Sequence, residues 1–225
     1  MLFSCRLAAV CLQPLPRLVC AEYFRSQAVV IANLAGLTRV TDSYGDVTGT
    51  YYSMTVERTL HGEAPRLFRI YEANDSGRAD FIWDIGESYL LFLREQMPTE
   101  AWVIDGCGNS GPLELRSKAI GAIDAIDSNS DQSTIQGAVG GRSHSFPLAG
   151  VQVEARGANG SNTAVTGRDG TFEIKVTPGK YEVRALSSGK SFVAEDLSYE
   201  DPANLVLRAG GCAQVQFVES GQSRR

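Results

Sequence analysis

The chain has little with which to do catalytic chemistry. It contains two histidines, His61 and His144. Each sits beside glycine or serine in an expected turn, with no nucleophile and orienting acid at a recognisable spacing, so both read as structural or solvent-exposed. Ser110 and Ser145 lack the G-x-S-x-G context that presents a serine nucleophile. Carboxylate pairs have no sequence spacing of their own, so an acid–base pair formed by the fold stays open. None of the five cysteines forms a C-x-x-C pair, which removes the usual zinc and thioredoxin-like readings. The glycine-rich stretches at 106–108 and 137–141 fail as phosphate loops: the first has no Lys-Ser/Thr, and no helix follows the second. Turn geometry accounts for both. Asp127, Asn129 and Asp131 open like a calcium loop, but Gln132 stands where glycine belongs and Ala138 where the bidentate glutamate belongs. That run reads as linker. The expectation is a protein that is not an enzyme and has no cofactor and no metal site.

Clustered positive charge is missing as well. The formal net charge is −5, and no Lys/Arg cluster occurs beyond Arg224-Arg225, so nucleic acid is not an expected partner. No apolar run approaches the roughly 18 residues of a membrane-spanning helix, so no integral span is expected. The cysteines fall at 5, 11, 20, 107 and 212, a wide spacing that suits long-range disulfides in an exported protein. Residues 1–12 (MLFSCRLAAVCL) place one arginine inside the apolar run, and no clean A-x-A site follows. They read as a degraded export signal, leaving a secreted, periplasmic or cell-surface location and a cytosolic one both open. Asn74 and Asn159 sit in N-x-S sequences, which matter only where the source glycosylates.

What the chain does have is strand pattern. At 225 residues it exceeds the usual domain size of roughly 100 to 150, and each half holds enough apolar residues for a core. Residues 28–40 (AVVIANLAGLTRV), 51–60, 67–72, 89–93 (YLLFL) and 102–104 read as five strands. The period then changes. Over 112–127, Leu115, Ala119, Ile120, Ile123 and Ile126 recur at spacings of three and four, predicting an amphipathic helix with Ser110 as its cap and Pro112 in its first turn. Five strands closed by one helix suggest an OB-type barrel. Residues 128–133 (SNSDQS) are polar and read as the connection between domains. Beyond it, alternation runs along Val151, Val153 and Ala155, along Phe172, Ile174 and Val176, and along Tyr181, Val183 and Ala185. Turns fall at Asn159-Gly160, Arg168-Asp169-Gly170 and Pro178-Gly179. With 134–139, 203–208 and 213–218 added, about seven strands form a Greek-key sandwich over 134–218, and 219–225 is a tail. The fold class is mostly β.

Two resemblances follow from these segments. PLAGVQVEA, AVTGRDGTFEI and PGKYEVRA resemble the carboxypeptidase regulatory-like family of prealbumin-type β-sandwiches. CAEYFRSQAVVIANL, YYSMTVERTLHG, DIGESYLLFL and DGCGNSGPLE resemble, over residues 20–127, the bacterial netrin-like relatives of the tissue inhibitors of metalloproteinases. The second resemblance implies an OB-type barrel with one C-terminal helix and a disulfide between Cys20 and Cys107. Residues 1–19 then precede the domain. Such a bridge closes a long loop and is worth roughly 2 to 5 kcal/mol. Inhibitory members of that family present the amine of a C-x-C terminus to zinc, whereas this chain has Cys11 and Cys20 far apart. Cys212 has no partner in either resemblance and reads as a buried small residue.

The resemblances imply an exported, non-catalytic two-module protein for binding, adhesion or surface assembly, with a protein or glycan surface partner. Two alternatives stand beside this: a metalloproteinase-inhibitor-like protein acting through the N-terminal edge of the barrel, and a carbohydrate-binding accessory module. For the last, Phe146, Tyr181, Phe192 and Tyr199 are the candidate aromatics, with Tyr181 and Phe172 expected in the core. The ligand and the oligomeric state stay open.

Overall fold

A computed structural model describes residues 17–96, 101–127, 129–141, 146–194 and 200–220. His144, Ser145, Tyr199, Cys5 and Cys11 lie outside them, as do residues 1–12, read as an export signal. The chain forms two compact units, the first running to Asp124 and the second starting at Ala125. Among the described residues no helix is long and apolar enough to cross a membrane. The fold is mostly β.

In the first unit, β1 (Ala28–Thr41) pairs antiparallel with β2 (Val47–Gly62) on one edge and with β4 (Ser88–Gln96) on the other. β3 (Leu67–Ala73) joins β2, and β5 (Ala101–Val103) bridges β3 to β4. The five strands therefore close on themselves as a barrel, which leaves no long unpaired edge. β6 (Gly111–Pro112) adds a short pairing to β4.

The sequence of β1 and β4 follows from having two apolar neighbours. Ala28, Val30, Ala32 and Leu34 of β1, with Tyr89, Leu91 and Leu93 of β4, point into the barrel. The alternate residues Val29, Ile31, Leu90 and Phe92 are equally buried, and they pack with Ala119 and Ile123 and with the half-buried Val19 and Tyr23. Those four partners belong to two helices, α1 (Val19–Arg25) and α2 (Ser117–Asp124), laid on the outside of the barrel. Strands covered on both faces become continuous apolar runs, and burial at about 1.5–3 kcal/mol per large side chain holds both helices down.

Two expectations for this region are corrected. The helix is shorter than 112–127: a 3₁₀ turn at Leu113–Leu115 precedes α2, Pro112 belongs to β6, and Leu115 is 66% exposed. Ser110 does not cap α2, because its side-chain oxygen is taken by the Phe92 N–H at 3.0 Å. A second helix, α1, was not expected at all.

The second unit has eight strands, one more than expected, in two four-stranded sheets. One sheet runs β10 (Thr171–Val176), β7 (Ser133–Gly140), β14 (Cys212–Glu219), β12 (Phe192–Ala194). The other runs β13 (Leu205–Leu207), β11 (Gly179–Leu186), β8 (Gln152–Gly157), β9 (Gly160–Val165). The pair β7–β14 is parallel and the rest are antiparallel. Their inner faces meet in one core that includes Ile135, Val153, Ala155, Phe172, Ile174, Val183, Leu205, Val215 and Phe217. Phe172 and Tyr181 are buried there as expected, while Phe146 is 52% exposed. Ser133 belongs to β7 rather than to the connection; it is buried and its hydroxyl donates to the Arg208 carbonyl at 2.8 Å.

Candidate functional site

Beside the candidate aromatics, the sequence points to Cys20 and Cys107 as a disulfide pair. Both are disulfide-bonded, and so is Cys212, which is also buried. Cys20 lies in the first turn of α1 and Cys107 in the loop between β5 and β6, and a set of polar contacts joins those two places. Glu22, one turn into α1 and 5% exposed, accepts the Asn109 backbone N–H at 2.7 Å and the Asn109 Nδ2–H at 2.8 Å, both on Oε2. Asn109 Nδ2 also donates to the Arg17 carbonyl at 3.1 Å. The Arg17 guanidinium pairs with Asp105, whose other oxygen accepts the Cys107 N–H at 2.8 Å. Burial pushes the Glu22 carboxyl above its usual range, against the opposing pull of the Asn109 N–H and Arg17. Gly108 makes room for this carboxyl, since a Cβ there would lie 2.2 Å from Glu22 Oε1. Close approach, rather than turn geometry, explains that glycine.

This knot bears on the inhibitor reading. Arg17 and Leu18, upstream of Cys20, are built into it: the Arg17 side chain is 6% exposed, and the Leu18 carbonyl accepts the Glu22 N–H at 3.1 Å. Cys20 is thus an interior residue of a packed segment, which is poor geometry for offering its amine to a metal.

The histidine within the described residues is likewise spoken for. His61 is the second-last residue of β2 rather than part of a loop, paired with Val29, and its ring lies 4.4 Å from that of Tyr23, tilted by 40°. Tyr23 in turn donates to the Leu60 carbonyl at 3.2 Å. The arrangement fastens α1 to β2. Asp127 accepts the Asn129 N–H at 2.9 Å, an Asx turn of the kind that ends a helix region.

A concave site that the sequence did not indicate opens at one end of the sandwich. Its volume is about 570 Å³, and Arg156, Asn159, Lys180, Glu182, Asn204 and Val206 are among its lining residues. The β8–β9 turn, the start of β11 and the loop before β13 supply the walls, and Tyr181 forms part of the lining from beneath. Tyr181 is held in place, its hydroxyl donating to the Thr177 carbonyl at 2.8 Å. The groove mixes both signs of charge with two carboxamides on a rigid strand scaffold. Such groups hydrogen-bond to hydroxyls and amides of a ligand. Nothing in local sequence joins these positions, because they come from three separate connections.

No family model and no curated protein matches this chain. Solved structures that superpose in part include the major pilin subunit of Bacillus cereus, at 10% identity and a TM-score of 0.31 over 89% of this chain and 62% of that one. A pilus adhesin of Lactobacillus rhamnosus GG gives 11% identity and a TM-score of 0.30 over 93% of this chain and 30% of that one. The dioxygenase domain of a dioxygenase carbohydrate-binding fusion from a Streptomyces species gives 15% identity and a TM-score of 0.27 over 42% of this chain and 81% of that one. The chain spans less than two thirds of the pilin and of the adhesin. Superpositions this weak carry neither fold nor function across.

Proposed function

We propose that this is an exported, non-catalytic two-module protein for binding, adhesion or surface assembly, with an OB-type netrin-like barrel over 20–127 and a prealbumin-like sandwich over 134–218. The groove beside Tyr181 carries the reading: it is a concave surface of about 570 Å³ whose lining includes charged and amide residues on a strand scaffold. Three disulfide-bonded cysteines support export, since such bonds persist in oxidising compartments. The partner is a surface glycan or protein that offers hydroxyl or amide groups to Asn159 and Asn204. Binding of the purified full chain to a glycan array and to immobilised extracellular-matrix protein tests it. The expected result is retention that falls at least about tenfold, near 1.4 kcal/mol, in the double variant Asn159→Ala, Asn204→Ala. Retention unchanged in that variant, or none on either surface, would remove the groove as the binding site.

The disulfide assignment goes with this reading. We infer that Cys20 pairs with Cys107, a reading supported by the contacts of Glu22, Asn109, Arg17 and Asp105, which tie the two backbone segments together on either side of them. Peptide mapping without reduction is expected to release residues around Cys20 and Cys107 as one linked species. A Cys20–Cys212 species would overturn the pairing.

A further inference from the structure

The edges of the sandwich are not equally protected. β12 and β13 are three residues each, and β10 carries Glu173 and Lys175. Short length and charge are the usual means by which sheet edges avoid pairing with foreign strands. β9, at the edge of its sheet and bonded only to β8, has neither. Its six residues, GSNTAV, include no charge and no proline, and all but Ala164 are exposed, Val165 at 64%.

The free edge can be read residue by residue. Thr166 N–H donates to the Val151 carbonyl at 2.9 Å, so in this register the pairs at 164/153, 162/155 and 160/157 also face β8. The two-residue turn between Gly157 and Gly160 gives the same phase, since the residues that close such a turn form a hydrogen-bonded pair. The backbone N–H and C=O groups of Ser161, Thr163 and Val165 therefore point away from β8.

We infer that β9 is a self-association edge, on which a second copy of this chain adds its own β9 antiparallel about a two-fold axis at Thr163. The occupant follows from symmetry. With outward groups at 161, 163 and 165, the middle residue faces itself and Ser161 faces Val165 of the copy. All three residues then pair fully, through about six backbone bonds. Every side-chain pair across the seam is uncharged, and Thr–Thr is a favourable cross-strand pair. The nearest like charges, Glu154 beside Thr163 and its symmetry mate, stand three strand spacings apart, about 14 Å, beyond the Debye length at physiological salt. The two four-stranded sheets become one sheet of eight, an isologous contact. One strand pair is a small interface, so the association is weak and depends on concentration. This inference stands independently of the groove.

Sedimentation velocity over a concentration series of the full chain tests it, with amide exchange measured at low and high concentration. The expected result is a monomer–dimer equilibrium in which the Ser161, Thr163 and Val165 amides gain protection on dimerisation, while Asn162 and Ala164, already bonded to β8, do not. Thr163→Lys sets two ammonium groups against each other on the axis and is expected to raise the dissociation constant at least about tenfold. In the monomer that lysine lies beside Glu154, so the fold is kept. Thr163→Val, also β-branched, is expected to retain the dimer. A chain that stays monomeric at every soluble concentration overturns the inference. So does a dimer that Thr163→Lys leaves intact, or protection of these amides that appears only when a foreign extended peptide is added.

Discussion

A chain carrying Glu22→Ala is expected to lose about 2–4 kcal/mol of stability in its first unit. The substitution strands two donors, the Asn109 N–H and Nδ2–H, which both lean on one carboxylate oxygen. Each unsatisfied buried donor costs about 1–3 kcal/mol, with the lower end applying because Asn109 is only part-buried. The space vacated against Gly108 adds a cavity cost. Chemical unfolding followed by tryptophan fluorescence isolates this effect, because Trp83 and Trp102, the two tryptophans of the chain, both lie in the barrel unit. A loss under about 0.5 kcal/mol would mean that the knot is not structural. The same residue sets a pH dependence. Burial raises its folded pKa above the ordinary 4.5, so the folded state binds the proton more tightly than the unfolded one. Stability is therefore greatest below about pH 4.5 as far as this group is concerned, and falls as pH rises through the folded pKa. Glu22→Gln keeps an acceptor for Asn109 but cannot titrate, and it should flatten that part of the profile.

That carboxylate was invisible in the sequence, and the reason is geometric. VCAEYFR is only seven residues long, and its N-cap, Leu18, offers no side-chain cap, so neither capping signal nor length marks a helix there. The strands of the barrel were readable for the opposite reason. Alternation or continuous apolar character is forced on every strand that faces a core, and all five were found within a few residues of their ends. What could not be read was why 28–34 and 89–93 are apolar on both faces, since α1 and α2 come from distant parts of the chain. β9 was missed because an edge strand with one partner and an exposed outer face has little apolar pattern to show. GSNTAV looks like the continuation of the turn before it. The second unit was legible as mostly β and in its core, and its groove was not, because loop residues gathered from three connections carry no periodicity.

The glycines of 137–141 look in sequence like a turn, but Gly137 is a strand residue. It lies within β7, flanked by Phe172 of β10 and Val215 of β14. A Cβ at this position would sit 1.9 Å from the Val215 carbonyl oxygen and 2.8 Å from the Phe172 ring. The requirement is for space, not for an unusual backbone angle. Gly137→Ala must either part the β7–β14 pair or displace a core aromatic, and both neighbours are themselves packed. The expected loss is about 3 kcal/mol, the upper end of the overpacking range, because the nearest atom is backbone and has no rotamer to yield. Gly121→Ala is the matched control. Nothing lies within 4 Å of a Cβ at Gly121 in α2, so the same added methyl should stabilise by about 0.5–1 kcal/mol through helix propensity. Because no tryptophan lies in the sandwich, far-ultraviolet dichroism should report the Gly137→Ala loss while the fluorescence transition of the barrel stays in place. A neutral Gly137→Ala would mean that β7 and β14 can separate at little cost. Opposite signs for one chemical change at two glycines would establish that local space, rather than glycine's freedom, selects the residue in β7.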